Sequence, residues 1–244
     1  MKEQLDDSKN KLDPDLSLKN VFYHASAPIV YSPIDFGVSK EESDQIINLR
    51  KQFINREFEV LIEAGVNATK PTIVNIVKKL YSAMAIRELT PGDHLKSYIY
   101  LCQALYLLRS LPSKQKRIEY RLYLEVNIGV QIGIVLKALS TDTYYPKMIV
   151  KAAAELAKDG RMGNWTSWIT WAEYEVYDDE RLGIQTKKTN EKVHKILMDL
   201  KSRYQGRGFF GEKDLHDYLS SSYHFIKYRQ SPLYKILLQE QTRS

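Results

Sequence analysis

The chain has 244 residues, 43% hydrophobic and 27% charged, with a net charge of +6 and a pI near 9.1. Those are globular proportions, with length enough to bury a substantial core. One cysteine, Cys102, excludes an intrachain disulfide framework and a multi-cysteine zinc site. No apolar run in the sequence approaches the ~20 residues that span a bilayer, and the polar, acidic start matches neither a signal nor a transit peptide. The expectation is a cytoplasmic protein, with the nucleus as the alternative and no membrane partner.

Residues 1–38 read as an extended N-terminal arm. Pro14, Pro28 and Pro33 oppose helix, while Phe22, Tyr23, Ile29, Val30, Tyr31, Ile34 and Phe36 carry too much apolar surface to leave in water. The arm holds four Lys against six Asp and Glu, a balance of −2, so the remainder of the chain carries +8. It is expected to dock on its own body or on another copy, which makes a homo-oligomer one expected partner state.

From residue 39 the pattern is helical. Ser39-Lys40-Glu41-Glu42 is a capping box. The helix it opens is predicted to run to about Ala64, with Gly65 closing it. A second helix starts at Thr69 or Pro71 and continues through Ile73, Ile76, Val77, Leu80 and Met84. Leu95, Tyr98, Ile99, Cys102, Leu105 and Tyr106, spaced by threes and fours, predict the buried face of the next helix, with Cys102 as a core thiol. Pro112 interrupts, Ser113 is the candidate N-cap, and 117–139 becomes apolar nearly all round. Within it Gly129 and Gly133, four apart, would admit another helix closely. Helices follow from Pro146 through Val150 and Leu156 to Gly160, through Trp165 to Val176, from Glu191 to about Tyr204, near Glu212 to Ser221 and from Pro232 to Gln239. The class is all-α, a multi-helix globular domain of about nine helices. Its expected divisions are the arm at 1–38, a main helical domain at 39–182, and a basic C-terminal helical segment at 183–244 packed on the main domain.

Three basic stretches carry the functional expectation. The segment Phe58 to Leu80 has the order of a helix-turn-helix, which would set Lys70, Thr72 and Asn75 against DNA; its turn is longer than that motif uses. Lys114, Lys116, Arg117 and Arg121 converge at the turn of the central helical pair, beside a helix N-terminus that favours phosphate. Lys201, Arg203, Arg207 and Lys213 interleave with Tyr204, Phe209 and Phe210 around Gly206, Gly208 and Gly211, a composition suited to phosphate pairing and base stacking. The segment 187–244 holds twelve Lys and Arg against six Asp and Glu.

Glu173, Glu175, Asp178, Asp179 and Glu180 run too nearly in sequence to converge on a metal, and Trp165, Trp168 and Trp171 read as core. The five histidines lack metal-ligand spacing and no glycine loop matches a phosphate-binding signature, so no cofactor, metal or catalytic residue is expected. The reading is a non-catalytic nucleic-acid-binding protein, of DNA or RNA, that engages the phosphate backbone through basic clusters. The alternative is a helical protein–protein adaptor or a self-assembling structural subunit.

Overall fold

The computed structural model describes residues 33–157, 165–181, 187–204 and 212–239. Among them the chain is all-α, with eleven helices and no strand. The capping box forms as spelled: the Glu42 N–H donates to Ser39 Oγ at 3.3 Å, and that hydroxyl donates to the Glu42 carboxylate at 2.9 Å. The helix it starts, α1 (Lys40–Ile54), ends ten residues earlier than the sequence suggests. Asn55, Arg56 and Glu57 turn the chain, with Arg56 at φ 62°, and α2 (Phe58–Val66) follows as a separate helix. A non-glycine residue in the left-handed region carries no compositional signal.

Gly65 is therefore not a terminator. It lies inside α2, where the helix crosses α3 (Ile73–Leu89) against Ser82, closer than any Cβ could come. The Ser82 hydroxyl donates at 2.6 Å to the Leu61 carbonyl, so it fastens the crossing it makes possible. Helix α3 begins after Pro71, capped by Thr72, whose hydroxyl accepts from the Asn75 N–H at 3.2 Å.

The helix α4 (His94–Arg109) keeps only part of the expected face inward: Tyr98 and Leu105 pack against the first core. Its buried residues are Ser97, Leu101, Ala104, Leu107 and Leu108, while Leu95, Ile99, Cys102 and Tyr106 face out, Tyr106 at 70% exposure. Cys102 is thus a surface thiol. Both faces of this helix are apolar, so spacing alone cannot choose between them.

A 3₁₀ turn (Gln115–Arg117) leads into α5 (Glu119–Leu139), so Ser113 lies in the turn and Ile118 holds the cap position. Helix α5 is long and apolar enough to cross a membrane by length and composition, although the sequence shows no unbroken apolar run; more than half of its most apolar stretch is buried inside the protein. Its two glycines accept α6 (Tyr144–Leu156): Gly129 faces Ala153, and Gly133 faces Val150 and the Pro146 carbonyl. The remaining helices are α7 (Trp165–Arg181), α8 (Lys187–Tyr204), α9 (Glu212–Ser221), α10 (Ile226–Arg229) and α11 (Pro232–Gln239).

Successive helices from α1 to α8 pack on one another, and α1, α3, α5 and α7 also touch in series, forming a row with α2, α4 and α6 inserted between. Within the row α3 and α5 run parallel, since Tyr81 neighbours Tyr123 and Arg87 pairs with Gln131 further along both helices. One core cluster spans Val38 to Val135 and holds Tyr81 and Tyr120 at its centre. A second gathers Trp168, Val176, Leu197, Leu215, Phe225 and Tyr228 from α7 onward. A small cluster of Val126, Val130, Ala153 and Ala157 links α5 with α6.

Of the expected arm, residues 33–38 pack on this body. Pro33–Phe36 form a 3₁₀ turn, Val38 joins the first core, and Phe36 packs against it. The rest of the arm lies outside the described residues.

Candidate nucleic-acid interface

The 110–118 connection is pinned at both ends by apolar side chains. Leu111 is buried in the first core, and Ile118 packs against it and beside Gly37. Between them the backbone folds on itself: the Gln115 and Lys116 N–H groups both donate to the Pro112 carbonyl, at 2.9 and 3.0 Å. The Gln115 amide reaches Glu42 at the start of α1, 3.5 Å away. With the apolar residues drawn inward, Lys114, Lys116 and Arg117 are exposed. None of these three side chains has a hydrogen bond or an ion pair among the described residues. Arg121, one turn into α5, is committed to Glu125 at 3.1 Å and is only partly exposed.

Lys70 lies at the same end of the molecule. Helices α3 and α4 are antiparallel, as the Ser97 hydroxyl donating to the Ala83 carbonyl and Lys79 Nζ over the Tyr100 ring require. The start of α3 therefore sits beside the end of α4, and the 67–72 and 110–118 connections share that end. Lys70 is exposed there. The two companions assigned with it in the sequence have other work. Thr72 caps α3, and the Asn75 amide donates to the Lys70 carbonyl at 3.0 Å, closing the turn. Neither side chain is left pointing away from the protein as base reading needs.

The C-terminal basic residues are dispersed in role. Lys201 is buried, its ammonium donating to the Leu237 carbonyl at 2.8 Å, so it ties α8 to α11. Arg203 lies over the Trp168 ring at 5.5 Å from the centroid, in the second core cluster's wall. Arg207 and the side chain of Lys213 lie outside the described residues. A run read as surface charge is thus partly internal, because α8 is packed on two sides by α7 and α11.

The acidic run on α7 is engaged rather than solvated at its start. Glu173 is buried and accepts from Tyr218 and Ser222, at 2.6 and 3.3 Å. Glu175 pairs with Lys147 and Lys192, both at 3.7 Å. No group of three or more His, Cys, Asp or Glu among the described residues is arranged to hold a metal ion.

One feature was not visible in the residue order. From Lys40 to Arg117 the chain has thirteen Lys and Arg against eight Asp and Glu. No described cation in that span has a carboxylate within 4 Å, whereas α6 to α8 neutralise Lys147, Lys151, Lys187 and Lys192. The cationic excess of this span therefore has no close ion pairs among the described residues. No protein-family model, curated protein or solved structure matches the chain.

Proposed function

We propose that the protein binds nucleic acid through the phosphate backbone, using the end of the molecule that carries Lys70, Lys114, Lys116 and Arg117. The observation that supports this is the exposure of these four cations at neighbouring connections, within the span 40–117 in which no described cation has a carboxylate within 4 Å. Unpaired surface cations condense a polyanion's phosphates and release its counterions, with no need for base contacts. The engaged state of Thr72 and Asn75 favours backbone binding over sequence reading.

The test is titration of a fluorescent single-stranded oligonucleotide with the protein and with the Lys114→Ala, Lys116→Ala, Arg117→Ala triple variant at low salt. Loss of about tenfold or more in affinity supports the reading. Equal affinity removes this end of the molecule from it.

A second reading, an assembly or adaptor subunit, is favoured by the outward stripe on α4. Leu95, Ile99, Cys102 and Tyr106 recur at the spacing of a helix–helix seam and are all exposed. Replacing Ile99 and Tyr106 with Glu should reduce the mass in solution if copies associate there. An unchanged mass excludes self-association through this face.

A further inference from the structure

Between Asp93 and Glu119 the chain has no Asp or Glu but five Lys and Arg, namely Lys96, Arg109, Lys114, Lys116 and Arg117. That stretch is α4 together with the connection that carries the proposed phosphate contacts. The last turn of α4 holds Tyr106, 70% exposed, with Arg109, also exposed, three residues on. Residues three apart are neighbours on a helix surface, so the ring and the guanidinium share one face. About 6 Å of helix rise separates Tyr106 from Ser110, where the connection begins. Neither side chain has a hydrogen bond, an ion pair or a ring contact among the described residues. The other exposed tyrosines among those residues differ. Tyr144 and Tyr145 stand edge-on with centroids 5.5 Å apart, and Tyr223 stands against His224 at 5.9 Å. Tyr106 thus presents a ring that no described aromatic side chain meets.

We propose that the ligand is a single-stranded nucleic acid, with Tyr106 as the platform on which one base stacks and Arg109 joining Lys114, Lys116 and Arg117 on the phosphates. The inference names the substrate class of the phosphate-binding end and rests on that reading. An unpaired nucleotide offers a π-face joined to a charge, and an exposed ring beside a row of cations is its complement. In a duplex the base faces are already covered by stacking on their neighbours. A ring on a helix surface then adds nothing to what the cations supply, so the preference is for single strands. Stacking reads no hydrogen-bond pattern, in keeping with Thr72 and Asn75 being held within their own turn. Tyr106 also ends the apolar stripe of α4. Its placement beside Arg109, in a stretch without an acid, favours an anionic occupant there over a second copy of the chain.

The experiment is a low-salt titration of the full chain with three fluorescent probes: an octathymidylate, a fully abasic strand of equal length and a duplex of that length. Wild type, Tyr106→Ala and Tyr106→Phe are compared, with the mass in solution measured for each. Tyr106→Ala should lose about tenfold in affinity for the octathymidylate, the size of one base–aromatic stack. Its salt slope should not change, because no phosphate contact has been removed. Tyr106→Phe keeps a ring and should bind within about twofold of the wild type. The abasic strand and the duplex should bind the wild type and Tyr106→Ala alike. Unchanged octathymidylate affinity in Tyr106→Ala overturns the proposal; if the Lys114→Ala, Lys116→Ala, Arg117→Ala variant still loses affinity, the phosphate reading stands without it. An equal loss on all three probes also overturns it, and an accompanying fall in mass assigns the ring to a contact between copies. A wild type that binds none of the probes overturns the proposal and the phosphate reading together.

Discussion

The Tyr218 hydroxyl donates a 2.6 Å hydrogen bond to Oε1 of Glu173, joining α9 to α7 across 45 residues of sequence. The carboxyl is buried, and that burial raises its pKa above the ordinary 4.5, although Tyr218, His224, Lys137 and Ser222 all pull it back. The native state thus holds this proton more tightly than the unfolded chain does. Stability from this group is fullest below the unfolded value and declines as pH rises through the folded one. Glu173→Gln keeps an acceptor for Tyr218 and removes the ionisation. Urea midpoints of the variant should therefore improve relative to the wild type as pH is raised from ~4 to ~7. His224 acts on this carboxyl electrostatically, so the pair is also compared in a His224→Gln background. A difference that does not change with pH contradicts the account.

The contact of Gly65 with Ser82 makes a steric prediction. A methyl group on Gly65 would overlap Ser82 Oγ and Cβ. Gly65→Ala should destabilise the fold by about 1–3 kcal/mol, despite the better helix propensity of alanine. Adding Ser82→Gly should recover part of that loss, giving a double-mutant interaction energy of about 1 kcal/mol. Denaturant unfolding reads both values. Purely additive effects would mean the two residues do not meet.

The turn between α2 and α3 should behave as structure. Thr72→Ala removes the N-cap and should cost about 1 kcal/mol. Asn75→Ala removes the bond to the Lys70 carbonyl and should cost about as much. Neither should change discrimination among duplex sequences. A variant that loses discrimination while keeping its melting temperature would place base reading at Asn75 after all.

What the sequence revealed and what it withheld divide along physical lines. Signals within one or two turns of chain were legible: the Ser39 box, the Gly129 and Gly133 approach, and the last helices from Glu212 and Pro232. The break at Arg56 was not, because a left-handed arginine has no local preference behind it, and the turn it makes brings Phe53 onto Phe58 across the break. The face of α4 was not, since Leu101 and Leu108 compete with Leu95 and Ile99 on equal terms. At the site, Lys114, Lys116 and Arg117 were legible as a polar run beside Pro112. The burial of Lys201 was not, because its partner carbonyl, that of Leu237, is supplied by a helix 36 residues away.

Arg203 separates packing from binding. Its guanidinium lies over the Trp168 ring, so Arg203→Ala should lower stability by about 1 kcal/mol and leave oligonucleotide affinity nearly unchanged. Thermal melts and the titration described above check the two halves. A loss of affinity without a loss of stability would return Arg203 to the interface.

The central claim is that backbone phosphates are neutralised by Lys70, Lys114, Lys116 and Arg117, and its most direct measurement is the salt dependence of oligonucleotide affinity. Each phosphate neutralised on a single strand contributes about −0.7 to the slope of log affinity against log salt. The wild type should show a steep negative slope, and the Lys114→Ala, Lys116→Ala, Arg117→Ala variant a slope shallower by about 2, with weaker binding at every salt concentration. A wild type that fails to bind at low salt, or a variant with the same slope, contradicts it.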